Sequence, residues 1–169
     1  MRLDRLAAAA LLACAAAAHA QFQVQPMDPD WKEVEAPPPP ALKTTGLIPV
    51  EIERSALRFG VDPASVSLGR DGIVRYVIVA TSSTGAVNAM YEGIHCKTGE
   101  YKVLARHNPD TGWSIAGNAE WRPLHGQQQS RHTLVVARTA ACMGHGPNRS
   151  AAQIVRDLRA PADTRFYIN

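Results

Sequence analysis

The sequence lacks the short motifs by which common enzyme chemistries are recognised. Its glycines form no Walker phosphate loop, and neither a Gly-x-Ser-x-Gly nucleophile elbow nor a Cys-x-x-Cys-His haem motif occurs. Charge of one sign is also scarce, because 18 Lys and Arg residues are offset by 15 Asp and Glu residues, for a net charge of +3. Nucleic-acid binding needs a clustered basic face. We therefore expect no nucleic-acid partner and no cofactor.

Long apolar runs are absent except near the amino terminus. Two arginines precede residues 6–18, an uncharged and alanine-rich run that ends in an Ala-His-Ala sequence. This pattern is typical of a secretory signal peptide, and the run is too short to span about 30 Å of hydrocarbon. We predict a signal peptide over residues 1–20, cleavage before Gln21, no transmembrane segment after cleavage, and a periplasmic or secreted protein.

Lipidation is the alternative processing route. Leu11, Leu12, Ala13 and Cys14 resemble a lipobox, in which the cysteine becomes the acylated first residue. Leu12 is larger than the residue usual at that place, and the alanine run continues beyond Cys14. The alternative localisation is therefore a lipoprotein anchored through Cys14.

Cysteine is rare, and its three copies are informative. Cys14 leaves with the signal or is acylated, so the folded part keeps Cys96 and Cys142. Two cysteines in an oxidising compartment favour a disulfide. The bridge would close a loop of about 46 residues and contribute about 4 kcal/mol in the chain-entropy model.

Proline is concentrated in one segment, residues 21–46, which we interpret as a tether. Four consecutive prolines at 37–40 favour an extended, solvated polyproline II conformation. Trp31 is costly to leave in water, so we expect it to pack on the domain, the alternative being a partner. The domain is expected over residues 47–160, followed by a tail over 161–169.

Residues 47–113 have the pattern of an antiparallel meander. Residues 73–81 (IVRYVIVAT) are β-branched and nearly all apolar, as in a central strand covered on both faces, and Asp71-Gly72 before them is a hairpin turn signal. Strands are also expected over 87–96 and 100–107. Residues 131–143 have helical spacing, and Ser150 is an expected N-cap for a helix over 151–159. The sequence predicts an α+β fold, a small antiparallel β-meander with one or two C-terminal helices packed on it.

Two segments resemble a known family. SVSLGRDGIVRYVIVATSSTGAVNAMYEGIHCKTGEYK and RHTLVVARTAAC are similar to the CNP-one-like family, small exported proteins of β-proteobacteria. The resemblance covers roughly residues 30–158, and its distinctive parts are the DG-[IV]-VRY strand, the YEGI-x-C strand and a late second cysteine. It implies an extracytoplasmic domain and carries over no activity, cofactor or catalytic residue.

The candidate site residues are weak individually. Glu92 lies within a strand, and if it points inward a buried carboxylate needs a partner such as Arg75, one strand away. We interpret this as an ion pair of structural purpose; a binding site involving Glu92, Arg75 and His107 is the alternative. A zinc site of His95, Cys96, Cys142 and His145 is disfavoured, because adjacent residues point to opposite faces of a strand. A Cys–His nucleophile would need a free thiol.

The function predicted from these observations is a non-enzymatic binding or interaction module of the cell envelope. Its partner would be an envelope protein or glycan, bound through one sheet face or the proline tether. The alternative is a small-molecule-binding domain or enzyme with a site between the sheet and the helices.

Overall fold

Two nine-residue strands, β4 (Ile73–Thr81) and β5 (Val87–His95), form the centre of one antiparallel sheet. The structure is a computed structural model and describes residues 29–125 and 131–160. The predicted signal peptide, the lipobox-like Cys14 and the tail at 161–169 lie outside the described residues. All of β4 except its last residue is buried, which confirms the prediction of a central strand covered on both faces.

The remaining strands of the sheet are β1 Ile48–Val50, β2 Arg58–Val61, β3 Ser67–Leu68, β6 Glu100–Asn108, β7 Gly112–Ile115 and β8 Arg122–Pro123. They extend the sheet in the order β1-β2-β4-β5-β6-β7, with β3 paired to β4 and β8 paired to β6. Strands β4 to β7 follow one another as antiparallel neighbours joined by short turns, as the meander pattern predicts. Gly72 has φ +76° in the turn before β4, a conformation that favours glycine.

Helical segments cover one face of the sheet. Helix α1 (Arg131–Val136) continues into a π-helical turn (Ala137–Ala141), and α2 spans Ala151–Arg159. Ser150 caps α2, since its side chain accepts a hydrogen bond from the Gln153 amide. The first helical segment ends at Ala141 instead of the predicted 143, because Cys142–Met143 forms strand β9, paired with β10 (Gly146–Pro147). The α+β prediction is confirmed.

The sheet buries a separate apolar cluster on each face. The helix face includes Val74, Tyr76, Ile78, Ile94, Val136, Ile154 and Leu158. The opposite face includes Val77, Val79, Ala89, Tyr91 and Ala105. No helix covers this second cluster among the described residues; Ala36 and Leu42, from the segment predicted to be a tether, pack against it instead.

Cys96 and Cys142 form a disulfide with their Cα atoms 5.6 Å apart, as predicted. Cys96 directly follows β5 and Cys142 begins β9, so the bond ties the end of the central strand to the chain after the π-helical turn. Across residues 29–125 and 131–160, no helix is both long and apolar enough to cross a membrane.

Candidate functional site

The part of the tether that the structure describes, residues 29–46, lies across the second face of the sheet; we call it the strap. It contains no helix or strand. Trp31 stacks on His95, with ring centroids 4.6 Å apart and planes 17° apart, and its Nε1 donates a 2.9 Å hydrogen bond to the Asp71 carbonyl. The tryptophan thus packs on the domain, as expected from its cost in water.

A buried ion pair holds the strap at Val34. Arg75 Nη2 lies 2.5 Å from Asp71 Oδ2 and also donates to the Val34 carbonyl at 2.9 Å. The Val34 amide in turn donates a 3.0 Å hydrogen bond to Asp71 Oδ2. Burial of Asp71 opposes its charged form, but the hydrogen bonds from Arg75, the Ile73 amide and the Val34 amide together lower its pKa below the usual value.

The turn at residues 69–72, just before β4, leaves room for this ion pair because residue 69 is glycine. A Cβ at Gly69 would overlap the side chains of both Asp71 and Arg75. The Arg75 guanidinium is almost fully enclosed, and its Nε has no hydrogen-bond partner among the described residues. The pair is therefore tightly fitted between the hairpin and the strap.

A second set of contacts holds the strap near the far edge of the sheet. Glu33 Oε2 accepts hydrogen bonds from Lys102 Nζ at 2.6 Å and from Trp121 Nε1 at 3.1 Å. The Lys102 ammonium also lies 4.6 Å from the centroid of the Trp121 ring, within cation–π range. Further along the strap, Trp113 Nε1 donates to the Pro40 carbonyl at 2.8 Å.

Between these contacts the strap does not close on the sheet, and a cleft of about 440 Å³ remains. This volume is within the range of small-molecule sites. Its strap wall is Glu33, Glu35, Ala36, Pro37, Pro38 and Pro39; its sheet wall is Tyr91, Lys102 and Leu104; and its third wall is Ile115, Ala116, Gly117 and Ala119. Most of these side chains are aliphatic, and Ile115 is 64% exposed at the rim.

Tyr91 lines the cleft from a largely buried position. The residue is 3% exposed, yet its hydroxyl forms no hydrogen bond with another described residue. Burial raises its pKa, which keeps the phenol protonated near neutral pH.

A different polar cluster lies on the helix face. Glu92 is fully buried; its Oε2 accepts hydrogen bonds from Tyr76 at 2.8 Å and Thr133 at 3.0 Å, and its Oε1 lies 3.0 Å from His132 Nε2. Phe59 stacks on the His132 ring at 5.1 Å. Burial, with Glu92 alongside, raises the pKa of Tyr76 well above its ordinary value. The carboxylate is satisfied by protein groups and joins α1 to the sheet.

The comparison with protein families agrees with the motifs in the two central strands. A model described as the CNP1-like family, the family that the sequence motifs resemble, matches residues 26–159. The chain belongs to the CNP1-like family. The matched residues include the strap as well as the sheet. No curated protein and no solved structure matches the chain.

The three residues proposed from sequence for a binding site do not meet. Arg75 is paired in register with Gly93, and Glu92 with Tyr76, so Arg75 and Glu92 lie on opposite faces of the sheet. The expected Glu92–Arg75 ion pair is therefore wrong: Arg75 pairs with Asp71, and Glu92 contacts His132. His107 is half-buried on β6, where it packs edge-on against Trp113 at 5.1 Å.

Three of the four residues considered for a metal site make other contacts, and the fourth, His145, is exposed. Cys96 and Cys142 are joined in the disulfide, and His95 is stacked on Trp31 with Thr98 Oγ1 3.1 Å from its Nδ1. Within the described ranges, no group of three or more His, Cys, Asp or Glu side chains could hold a metal ion.

Sequence reasoning did not find the cleft residues Tyr91, Lys102 and Ile115. The available signals were indirect: an apolar second face on the central strands, and a proline-rich segment with a tryptophan and two glutamates. Together these signals indicate that the proline-rich segment covers the second face of the sheet. They do not indicate where a cleft remains between the two.

Proposed function

We propose that this protein is an exported, non-enzymatic binding module of the cell envelope, and that it binds its ligand in the cleft between the strap and the sheet. The observation that carries the proposal is the cleft itself, with Tyr91 in one wall, a buried residue whose hydroxyl forms no hydrogen bond with another residue that the structure describes. A concave, mainly apolar site with a few convergent polar groups is the usual form of a ligand site.

The walls of the cleft support binding by a preformed site. The Trp31 stack, Arg75 and the Glu33–Lys102 ion pair hold the strap at residues 31–34. The hydrogen bond from Trp113 holds it at Pro40. A site that is shaped before its ligand arrives loses less conformational entropy on binding. The ligand would be a small molecule or a side chain of an envelope component.

The helix-face cluster supports no competing catalytic proposal. Glu92 is 0% exposed, and both its oxygens contact protein groups. A general acid or base must come within hydrogen-bond reach of a substrate, and this carboxylate has no exposed surface to offer.

Export is supported by the signal-like pattern over residues 1–20 and by the disulfide, which is typical of oxidising compartments. Mass spectrometry of the protein recovered from fractionated cells tests it. An amino terminus at Gln21 in the soluble envelope fraction is expected. Acylated Cys14 in the membrane fraction would establish the lipoprotein form, and an intact Met1 in the cytoplasm would contradict export.

Ligand binding is tested by NMR titration with n-hexanol as a neutral apolar probe. Backbone amide shifts are expected at Leu104, Ile115 and Gly117, which line the cleft. Ala119→Leu adds bulk at a half-buried lining position and should abolish these shifts, whereas Ala64→Leu, at an exposed position away from the cleft, should leave them. Absence of saturable shifts in the wild type, or equal shifts in Ala119→Leu, would contradict the proposal.

A further inference from the structure

The cleft has an uneven charge distribution that points to a class of ligand. We infer that the cleft, taken as the ligand site proposed above, accommodates a primary ammonium group on an alkyl chain, with the Glu35 carboxylate as its counter-charge. The charged side chains in its walls are Glu33, Glu35 and Lys102.

Two of these three charges neutralise one another. Lys102 Nζ lies 2.6 Å from Glu33 Oε2, and the same carboxylate oxygen also accepts from Trp121. Lys102 is therefore not a free cation for an anionic ligand. Its side chain is only 11% exposed, so an incoming carboxylate would have to break a shielded ion pair to reach it.

Glu35 is the charge that remains. It is exposed in the cleft wall and makes no ion pair or hydrogen bond with another described residue. Its carboxylate repels an anionic ligand and attracts a cation. The net charge of the lining is negative.

Tyr91 provides the second polar contact. A phenol oxygen can accept a hydrogen bond as well as donate one, and an ammonium carries three donors. Because its pKa is raised by burial, Tyr91 stays neutral and keeps both capacities. The Tyr91 hydroxyl forms no hydrogen bond with another described residue, so it is available to accept one from a ligand that donates.

The apolar walls select the body of the ligand. Pro37, Pro38, Pro39, Leu104 and Ile115 present saturated carbon, and Tyr91 is the aromatic residue among the lining side chains. Aliphatic walls attract an alkyl chain by dispersion and bury its apolar surface. They lack the flat aromatic surfaces on which sugars or planar rings stack. An alkyl chain that carries an ammonium group matches both the walls and the charge.

The test compares three probes of equal chain length, n-hexylamine, n-hexanol and hexanoate, by NMR titration at pH 7. We expect hexylamine to bind about fivefold more tightly than hexanol, and hexanoate most weakly. The preference should shrink in 0.5 M salt, because an exposed ion pair is screened.

Variants assign the preference to Glu35. Glu35→Gln should bind hexylamine and hexanol equally, while Glu53→Gln, a matched change at an exposed glutamate outside the cleft lining, should retain the fivefold preference. Tyr91→Phe should weaken the binding of hexylamine. Hexanol should still shift the amides of Leu104, Ile115 and Gly117 in this variant.

The outcomes separate the inference from the function on which it rests. If hexanol binds in the cleft but hexylamine binds no tighter, or if Glu35→Gln keeps the preference, the ammonium inference is overturned and the binding site stands. If none of the probes binds, both are overturned.

The same ammonium chemistry could come from a free amine or from a lysine of a partner protein. A blocked Ala-Ala-Lys-Ala-Ala peptide and its norleucine analogue distinguish the two sources. Displacement of hexylamine by the lysine peptide alone would support a lysine side chain as the source of the ammonium group, and failure of both peptides to displace it would exclude this peptide-borne lysine and leave the free amine.

Discussion

The indole of Trp31, in the strap, stacks on the imidazole of His95, the last residue of β5, although the two residues lie far apart in the sequence. Trp121 meets the same pair, edge-on to Trp31 at 6.4 Å and tilted to His95 at 5.7 Å. His95 is 3% exposed in this cluster. The end of the central strand β5 thus supplies the surface on which the strap begins.

The stacked pair predicts that Trp31 holds the strap in place. In Trp31→Ala the ring contact and the hydrogen bond to the Asp71 carbonyl are lost, so the strap should open more often. The Val34 amide, which bonds Asp71, should then exchange with deuterium at least tenfold faster, corresponding to about 1.4 kcal/mol. Trp31→Phe should show an intermediate effect. Unchanged exchange at Val34 in Trp31→Ala would contradict this role.

His95 predicts a loss of stability on mild acidification. Burial is the main cause that lowers its pKa in the folded protein, and Glu100 partly offsets it. The unfolded chain therefore binds the proton more readily, so stability is full above about pH 6.5, the ordinary histidine value, and falls as the pH drops toward the lower folded pKa. Urea unfolding from pH 8 to pH 5 should show this slope, and His95→Gln should reduce it. An equal slope in both proteins would contradict the assignment.

Glu92 predicts a large stability effect without a binding effect. Glu92→Leu leaves the hydroxyls of Tyr76 and Thr133 without their acceptor inside the protein, at a cost of about 3 kcal/mol or more. Glu92→Gln keeps one acceptor oxygen and should cost less. Urea unfolding measures both, with the exposed Glu51→Gln as control. If Glu92→Leu leaves the free energy of unfolding nearly unchanged, the buried network contributes little to stability.

The disulfide predicts a redox-dependent stability. Reduction, or the double change of Cys96 and Cys142 to Ala, removes a cross-link between positions 46 residues apart. In the chain-entropy model this lowers the free energy of unfolding by about 4 kcal/mol. Urea unfolding of the oxidised and reduced protein should differ by that amount. A difference below about 1 kcal/mol would show that the helix-face core holds the two segments without the bond.

The central strands and the last helix could be predicted because their signals are local. Ile73–Thr81 is an unbroken apolar strand, and the Ser150 cap precedes an apolar stripe at helical spacing. The disulfide followed from counting cysteines and from the expected compartment.

The site could not be predicted in the same way, because it depends on register and on contacts between distant segments. Placing Arg75 opposite Glu92 requires a register one residue away from the true one, in which Arg75 faces Gly93, and a one-residue change reverses the face of every side chain. The strap's proline run shows that it is extended, but its position is decided by Asp71, His95 and Trp113, none of which is near it in sequence.

Whether a ligand binds between the strap and the sheet is decided by titrating n-hexanol into the wild type, Ala119→Leu and Ala64→Leu and following the amides of Leu104, Ile115 and Gly117. Saturable shifts are expected at these amides in the wild type and in Ala64→Leu, and their loss in Ala119→Leu. Shifts that are absent from the wild type, or that persist unchanged in Ala119→Leu, would contradict a ligand site between the strap and the sheet.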